Sequence, residues 1–265
     1  MQKRRSIRKI IQEPNAINHT SNIHRRQDNR NFTKTAHVGH PARIQVNTTL
    51  VNSAQVKPNA KVKYSNVLPI FSGETVYIIG GGPSLKNFDF RRLRGCKTIA
   101  INKAITFLPD ADVLYWTDSR FYTWYKNEVD NYNGLKFTIK TGSQYTSDIQ
   151  ILKKGKSYGI EKDSETLAHG NNSGYASINL AYHLGAKRII LLGFDMANDG
   201  KDTHFHDGYP TKSTGDQIYR DKFLPGFTQL KSELDPEGVT VLNASVYSQL
   251  TTFTKITIEQ ALSFR

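Results

Sequence analysis

The stretch Val76-Tyr77-Ile78-Ile79-Gly80-Gly81-Gly82-Pro83-Ser84-Leu85 constrains the fold of this chain more than any other. Four apolar residues, mostly β-branched or aromatic, read as a short buried strand. Three glycines then let the chain turn sharply and leave no side chain between backbone N–H groups and a ligand. Pro83 suits the first position of a following helix, where its missing N–H is no loss. The free N–H groups at such a helix start face an anion, in the first instance a phosphate. Two familiar patterns are excluded. The dinucleotide fingerprint needs a glycine three residues after Gly82, where Leu85 stands, and no Gly-Lys-Ser/Thr of a P-loop follows. A tight strand–helix connection without a ligand would give the same local sequence, so other residues must decide.

The rest of the chain alternates between strand and helix. Predicted strands are Val76–Ile79, Thr98–Ile101, Val113–Trp116, Lys136–Ile139, Arg188–Leu192 and Val239–Leu242. The clearest helix runs from Ser173 to Leu184, with Ala176, Leu180, Ala181 and Leu184 on one face, Ser173 as N-cap and Gly185 as stop. A shorter one, Gln229–Leu234, feeds the last strand. This alternation predicts an α/β, Rossmann-like fold, a mostly parallel sheet with helices on both faces, over residues 71–265. The polar, weakly patterned segment Gln144–Gly170 reads as an insertion or a lid over the site.

Charge separates residues 1–70 from this domain. Of the formal net charge of +13, residues 1–60 carry +9, from eleven Lys or Arg against Glu13 and Asp28. That segment is rich in Asn, Thr, Gln and His and holds no sustained periodicity. It is expected to be a basic, largely disordered tail, available to nucleic acid or another polyanion, or serving solubility alone. Phe32 is its only Phe, Tyr or Trp, which argues against base stacking. The single cysteine, Cys96, precludes an intrachain disulfide and suits a reducing, cytoplasmic setting. No apolar run reaches membrane-spanning length, so no membrane insertion is expected.

Ligands of open parallel sheets bind beyond the carboxyl ends of the strands. That rule selects Gly80, Gly81, Gly82, Pro83 and Ser84 after the first strand and Asn102 and Lys103 after the second. It adds Thr117, Asp118 and Arg120 after the third, Gly193, Phe194 and Asp195 after the fifth, and Asn243 and Ser245 after the last. Nine residues beyond Asp195 the loop bears His204, and then His206. A histidine that folds back over the cleft suits a general base, because its unperturbed pKa lies near neutrality. Asp195 can orient that imidazole, bind a ribose hydroxyl or hold a metal. It can equally cap a helix, as the histidines can sit in solvent. His-x-His beside aspartates also permits a metal site, but a third clear ligand is lacking.

Four motifs occur here in a familiar order: Gly80-Gly81-Gly82-Pro83-Ser84-Leu85, Asn172-Ser173-Gly174 with Leu184-Gly185, Leu192-Gly193-Phe194-Asp195-Met196, and Asp199-Gly200-Lys201-Asp202-Thr203-His204. In this the chain resembles the domain-of-unknown-function 115 group, over roughly residues 74–262. That group includes flagellin glycosylation (motility accessory) factors and 6-hydroxymethylpterin diphosphokinase-like proteins. It also resembles bacterial sialyltransferases of the same fold. The resemblance implies a nucleotide-binding fold, with a CMP-activated nine-carbon sugar acid as donor in the sialyltransferase-like members. It implies that Gly80, Gly81 and Gly82 contact the nucleotide phosphate. It adds Asn102, Asn172, Ser173 and Gly174 to the binding set and makes His204 the base, with His206 as rival. The sialyltransferases' asparagine after the third strand is replaced here by Thr117 or Asp118, and their tyrosines soon after the aspartate have no counterpart between Asp195 and Tyr209.

The leading expectation is therefore glycosyl transfer from a nucleotide sugar to an acceptor hydroxyl, with no cofactor required. The alternative is a diphosphotransferase in which Asp118 or Asp195 holds Mg²⁺. A third possibility is a non-catalytic nucleotide or nucleic-acid binding protein that uses the basic tail for anchoring.

Overall fold

In the computed structural model, residues 62–139, 145–198, 204–207, 209 and 216–265 are described. The expected tail over 1–60 and part of the loop ahead of His204 lie outside the described residues. One eight-stranded sheet, parallel at every pairing, forms the frame. Its strands are β1 (Thr75–Ile79), β2 (Lys97–Ile101), β3 (Val113–Trp116), β4 (Leu135–Thr138), β5 (Ile149–Ile151), β8 (Arg188–Leu192), β9 (Thr240–Asn243) and β10 (Thr254–Lys255). A separate two-stranded ribbon pairs β6 (Lys153–Lys154) with β7 (Thr166–Leu167). The helices are α1 (Ser119–Trp124), α2 (Lys126–Asn131), α3 (Ser173–His183), α4 (Phe227–Leu234) and α5 (Ile258–Leu262). No described helix is long and apolar enough to cross a membrane.

The strand order is β10-β9-β8-β1-β2-β3-β4-β5. The chain lays down β1 to β5 in one direction, crosses back through α3, and adds β8, β9 and β10 on the other side of β1. The order thus reverses between β1 and β8, and the crevice there is where such sheets take ligands. Alternate strand residues serve opposite faces, as a two-residue period requires. Val76, Ile78, Ile189 and Leu191 enter the core under α3 and α4. Tyr77, Ile79, Ile190 and Leu192 enter a second core with α1, α2 and α5. Burial on both faces explains why these strands read as continuous apolar runs.

Local reading and structure differ in four places. The helix expected at Pro83 is a three-residue 3-10 turn, Pro83–Leu85. It ends because Lys86 turns extended and Asn87 takes a φ of 67°. The N-cap of α3 is Asn172, whose side chain accepts from the Tyr175 N–H at 2.8 Å, rather than Ser173. The described residues of the 144–170 segment form an insertion packed on α3. Asn179 Oδ1 accepts from Glu161 N–H and Ala168 N–H, both at 2.9 Å, and the His183 ring lies 2.9 Å from the Thr166 carbonyl. That cover buries the outer face of α3, whose sequence is too weakly amphipathic to announce it. Ahead of residue 71 the chain is already docked, for Ser65 and Val67 donate to Ile151 and Ser164 at 2.9 and 3.2 Å and Val67 is buried.

Candidate functional site

A cavity of about 340 Å³ opens at the carboxyl edge of the sheet, around the β1–β8 switch point. It is within the range of small-ligand sites. Gly80, Gly81 and Gly82 reach it from β1, and Asn102 from β2. Thr117 and Asp118 come from β3, Asn172, Ser173 and Gly174 from the start of α3, and Asp195 from β8. His204 closes it from above. With Gly193 and Phe194, also from the end of β8, strand topology gathers thirteen of the residues singled out by sequence around one space. Pro83, Ser84 and His206 do not line it.

The glycine turn works differently from the expectation. None of its three glycines has a positive φ, and Gly82 sits at −65°. Each is needed for close approach. A Cβ on Gly80 would lie 2.7 Å from the Gly193 carbonyl oxygen, one on Gly81 2.8 Å from His204 Cδ2, and one on Gly82 1.8 Å from Asp195 Oδ2. Beside Ser84 the turn meets the protein's own carboxylate. Asp195 is buried, and its Oδ2 accepts from Ser84 Oγ at 2.8 Å and Ser84 N–H at 3.3 Å. The Gly80 and Gly82 amides donate to Leu192 and Gly193 carbonyls at 2.8 Å. A three-residue turn also lacks the aligned dipoles of a real helix N-terminus.

His204 is held by its neighbours in the loop. Phe205 N–H donates to the Gly81 carbonyl at 3.0 Å, and the Phe205 ring packs on Phe90 and Phe107, with centroids 5.5 and 4.9 Å away. Lys103 Nζ donates to the Asp207 carbonyl, and Lys103 N–H to Tyr209 Oη at 3.5 Å. Burial, aided by the nearby Lys103 ammonium, lowers the His204 pKa, so the imidazole is neutral at about pH 7. His206 stacks on it at 5.2 Å, as an extended loop with side chains alternating would place it. Yet His206 turns into a cage of Phe107, Phe205 and Tyr209. Its buried ring nitrogens find no partner among the described residues. Burial, then His204 and Lys103, push its pKa down to about 4. His204 faces the cavity, and His206 supports it from behind.

The polar wall is partly preoccupied. Thr117 Oγ1 and Ser173 Oγ are 2.5 Å apart, tying β3 to the start of α3. Asp118 caps α1 by accepting from Arg120 N–H at 2.9 Å, and its carboxylate pairs with the Arg120 guanidinium at 2.6 Å. Among the described residues no three His, Cys, Asp or Glu side chains converge as a metal site. The remaining wall was missed by sequence reading: Asn171, Met196, Ala197, Tyr219 and Phe223. Tyr219 and Phe223 stand four apart on one turn of π-helix, with rings 5.7 Å apart. That i, i+4 aromatic spacing was the available signal. Burial, then the charges of Asp216 and Asp195, raise the Tyr219 pKa.

No family model and no curated protein matches the chain. Among solved structures it is similar to the sialyltransferase CstII from Campylobacter jejuni in complex with the substrate analogue CMP-3FNeuAc. Identity is 18%, over 69% of this chain and 86% of that one, with a TM-score of 0.42. It is also similar to an alpha-2,3-sialyltransferase from the same organism in apo form, at 17% identity over 74% and 85% of the two chains, TM-score 0.42. Likeness at this level assigns no residue.

Proposed function

We propose that this protein transfers a sugar from a nucleotide-sugar donor to an acceptor hydroxyl. The observation that carries the reading is the placement of a neutral, partly buried imidazole, His204, on the rim of a cavity at the switch point of a parallel sheet. The motif order that resembles the domain-of-unknown-function 115 group and the sialyltransferases supports the same reading, with a CMP-activated nonulosonic acid as donor. His204 takes the proton of the acceptor hydroxyl as its oxygen attacks the anomeric carbon. The bond from that carbon to the nucleotide phosphate breaks, and the phosphate leaves with the electron pair. Asp195 acts by position. Its bonds to Ser84 lock the β1 turn against the β8 turn, so Gly81 can seat the histidine.

The diphosphotransferase alternative asks Asp118 or Asp195 to hold Mg²⁺. Both line the cavity, but each already serves the chain, Asp118 with Arg120 and Asp195 with Ser84. The test begins with thermal unfolding in the presence of a nucleotide panel, since a ligand of the native state raises its stability. Donor turnover then follows with the parent, with His204→Ala and with added EDTA. The proposal expects His204→Ala to lose about 10²–10⁴-fold in turnover with nucleotide affinity retained. Turnover abolished by EDTA and indifferent to His204 would establish the alternative.

A further inference from the structure

Eleven described residues have a positive φ: seven glycines, three asparagines and Met196, at 51°. Glycine enters that region freely and asparagine tolerates it, but a methionine Cβ crowds its own backbone there. Asn102, Asn171 and Met196 all line the cavity, so the uncommon backbone gathers at this site. The surroundings enforce the conformation at Met196. On one side the Asp195 carbonyl accepts from Gln249 N–H at 2.8 Å, and on the other Asn198 N–H donates to Asp216 Oδ1 at 3.0 Å. Glycine in this turn would remove the strain, as it does at Gly193, three residues earlier, with a φ of 69°.

The side chain explains what the strain retains. Met196 is only partly buried, packs against the core on one side and lines the cavity on the other. With Tyr219 and Phe223 it belongs to the apolar part of a lining whose glycine, asparagine and hydroxyl parts are polar. A thioether has no strong hydrogen bond to offer. What it contributes is a polarisable surface for a flat ring. We propose that Met196 receives the planar base of the nucleotide and that the strained turn persists because it lays this side chain against the ring. The proposal rests on the reading of the cavity as a nucleotide site.

The test compares the full-length parent with Met196→Gly and Met196→Ala. Both variants remove the thioether, and only alanine keeps a Cβ in the strained backbone. Without ligand, the glycine variant should melt about 2–4 °C above the alanine variant. Calorimetric titration with CMP, UMP, AMP, GMP and ribose 5-phosphate separates the base from the rest of the ligand. The best nucleotide should bind both variants about tenfold more weakly than it binds the parent, with ribose 5-phosphate changed less than twofold. If the parent ignores ribose 5-phosphate, the base already carries the affinity and the tenfold loss decides. Unchanged nucleotide affinity, equal losses for both ligand types, or an alanine variant as stable as the glycine variant would each overturn the proposal. A parent that binds none of the four nucleotides would overturn the nucleotide reading itself, and this proposal with it.

Discussion

Two turns meet at the centre of this protein, and they solve opposite problems. After β1, Gly80–Gly82 read as a stretch of free backbone, yet the turn uses no positive φ and nearby atoms of the chain crowd each glycine Cα: the Gly193 carbonyl, the His204 ring and the Asp195 carboxylate. After β8, the turn uses positive φ twice, once at Gly193 and once at Met196, where the residue type opposes it. A run of glycines thus marks close approach rather than an unusual backbone, and the unusual backbone sits where no glycine announces it. The first turn is packed tightly in a relaxed conformation. The second holds a strained conformation open to the cavity.

The largest effect that would break this contrast is on turnover. Gly81→Ala puts a Cβ 2.8 Å from His204 Cδ2, and the imidazole, the end of a side chain, can yield. Turnover should fall toward that of His204→Ala, about 10²–10⁴-fold below the parent, while the unfolding midpoint in urea hardly moves. A fully active Gly81→Ala would show that the histidine need not rest on the glycine.

Gly82→Ala should act on stability instead. Its Cβ would meet Asp195 Oδ2 at 1.8 Å and the Gly193 carbonyl at 2.7 Å, and that carbonyl is backbone. Overpacking of this kind costs about 1–3 kcal/mol, to be read as a lower urea midpoint at unchanged m-value. Unaltered stability would mean that the two turns are not locked together.

Read close to neutral pH, the smallest effect is the pH dependence of the histidine loop. Folding holds His206 neutral, with its pKa lowered from 6.5 to about 4, so below pH 6.5 the unfolded chain binds a proton that the folded chain refuses. The contribution is complete above about pH 6.5 and is lost as the pH falls through about 4. His206→Phe, which suits an aromatic cage, should flatten that part of the stability profile. An unchanged profile would place the imidazole outside the cage.

Much of the fold was legible because strands buried on both faces leave unbroken apolar runs. β1, β2, β3 and β8 were read to within a residue, and β4 and β9 were each displaced by one. β5, β10 and the β6–β7 ribbon went unread because two or three residues carry no periodicity to detect. The site was legible by the same route. A residue just past a buried parallel strand is at the sheet's carboxyl edge whatever its type, which is how Asn102, Thr117 and Asp195 were found. Ser84 was placed in the right turn, but its bond to Asp195 was not foreseen, because what a short turn meets depends on another strand. His204 was preferred to His206 on the resemblance alone, because two residues apart in one loop the two histidines look alike. The ring of Phe107, just past the 3-10 turn that follows β2, completes the cage around His206 and leaves His204 on the cavity.

By itself the sequence determined the layered α/β frame, the direction of its strands and the set of polar residues delivered to one edge. These follow from local period and from the rule that parallel strands share an end. Tertiary structure decided that Asp195 bonds Ser84 of the glycine turn, that His204 rather than His206 lines the cavity, and that Met196 is held in a conformation its side chain disfavours. Those outcomes depend on meetings between elements far apart in the chain, as when Ser84 after β1 meets Asp195 after β8, and Asp195 meets Gln249 after β9. Chain-local preferences cannot encode such meetings, because the energies that settle them are contact energies between elements.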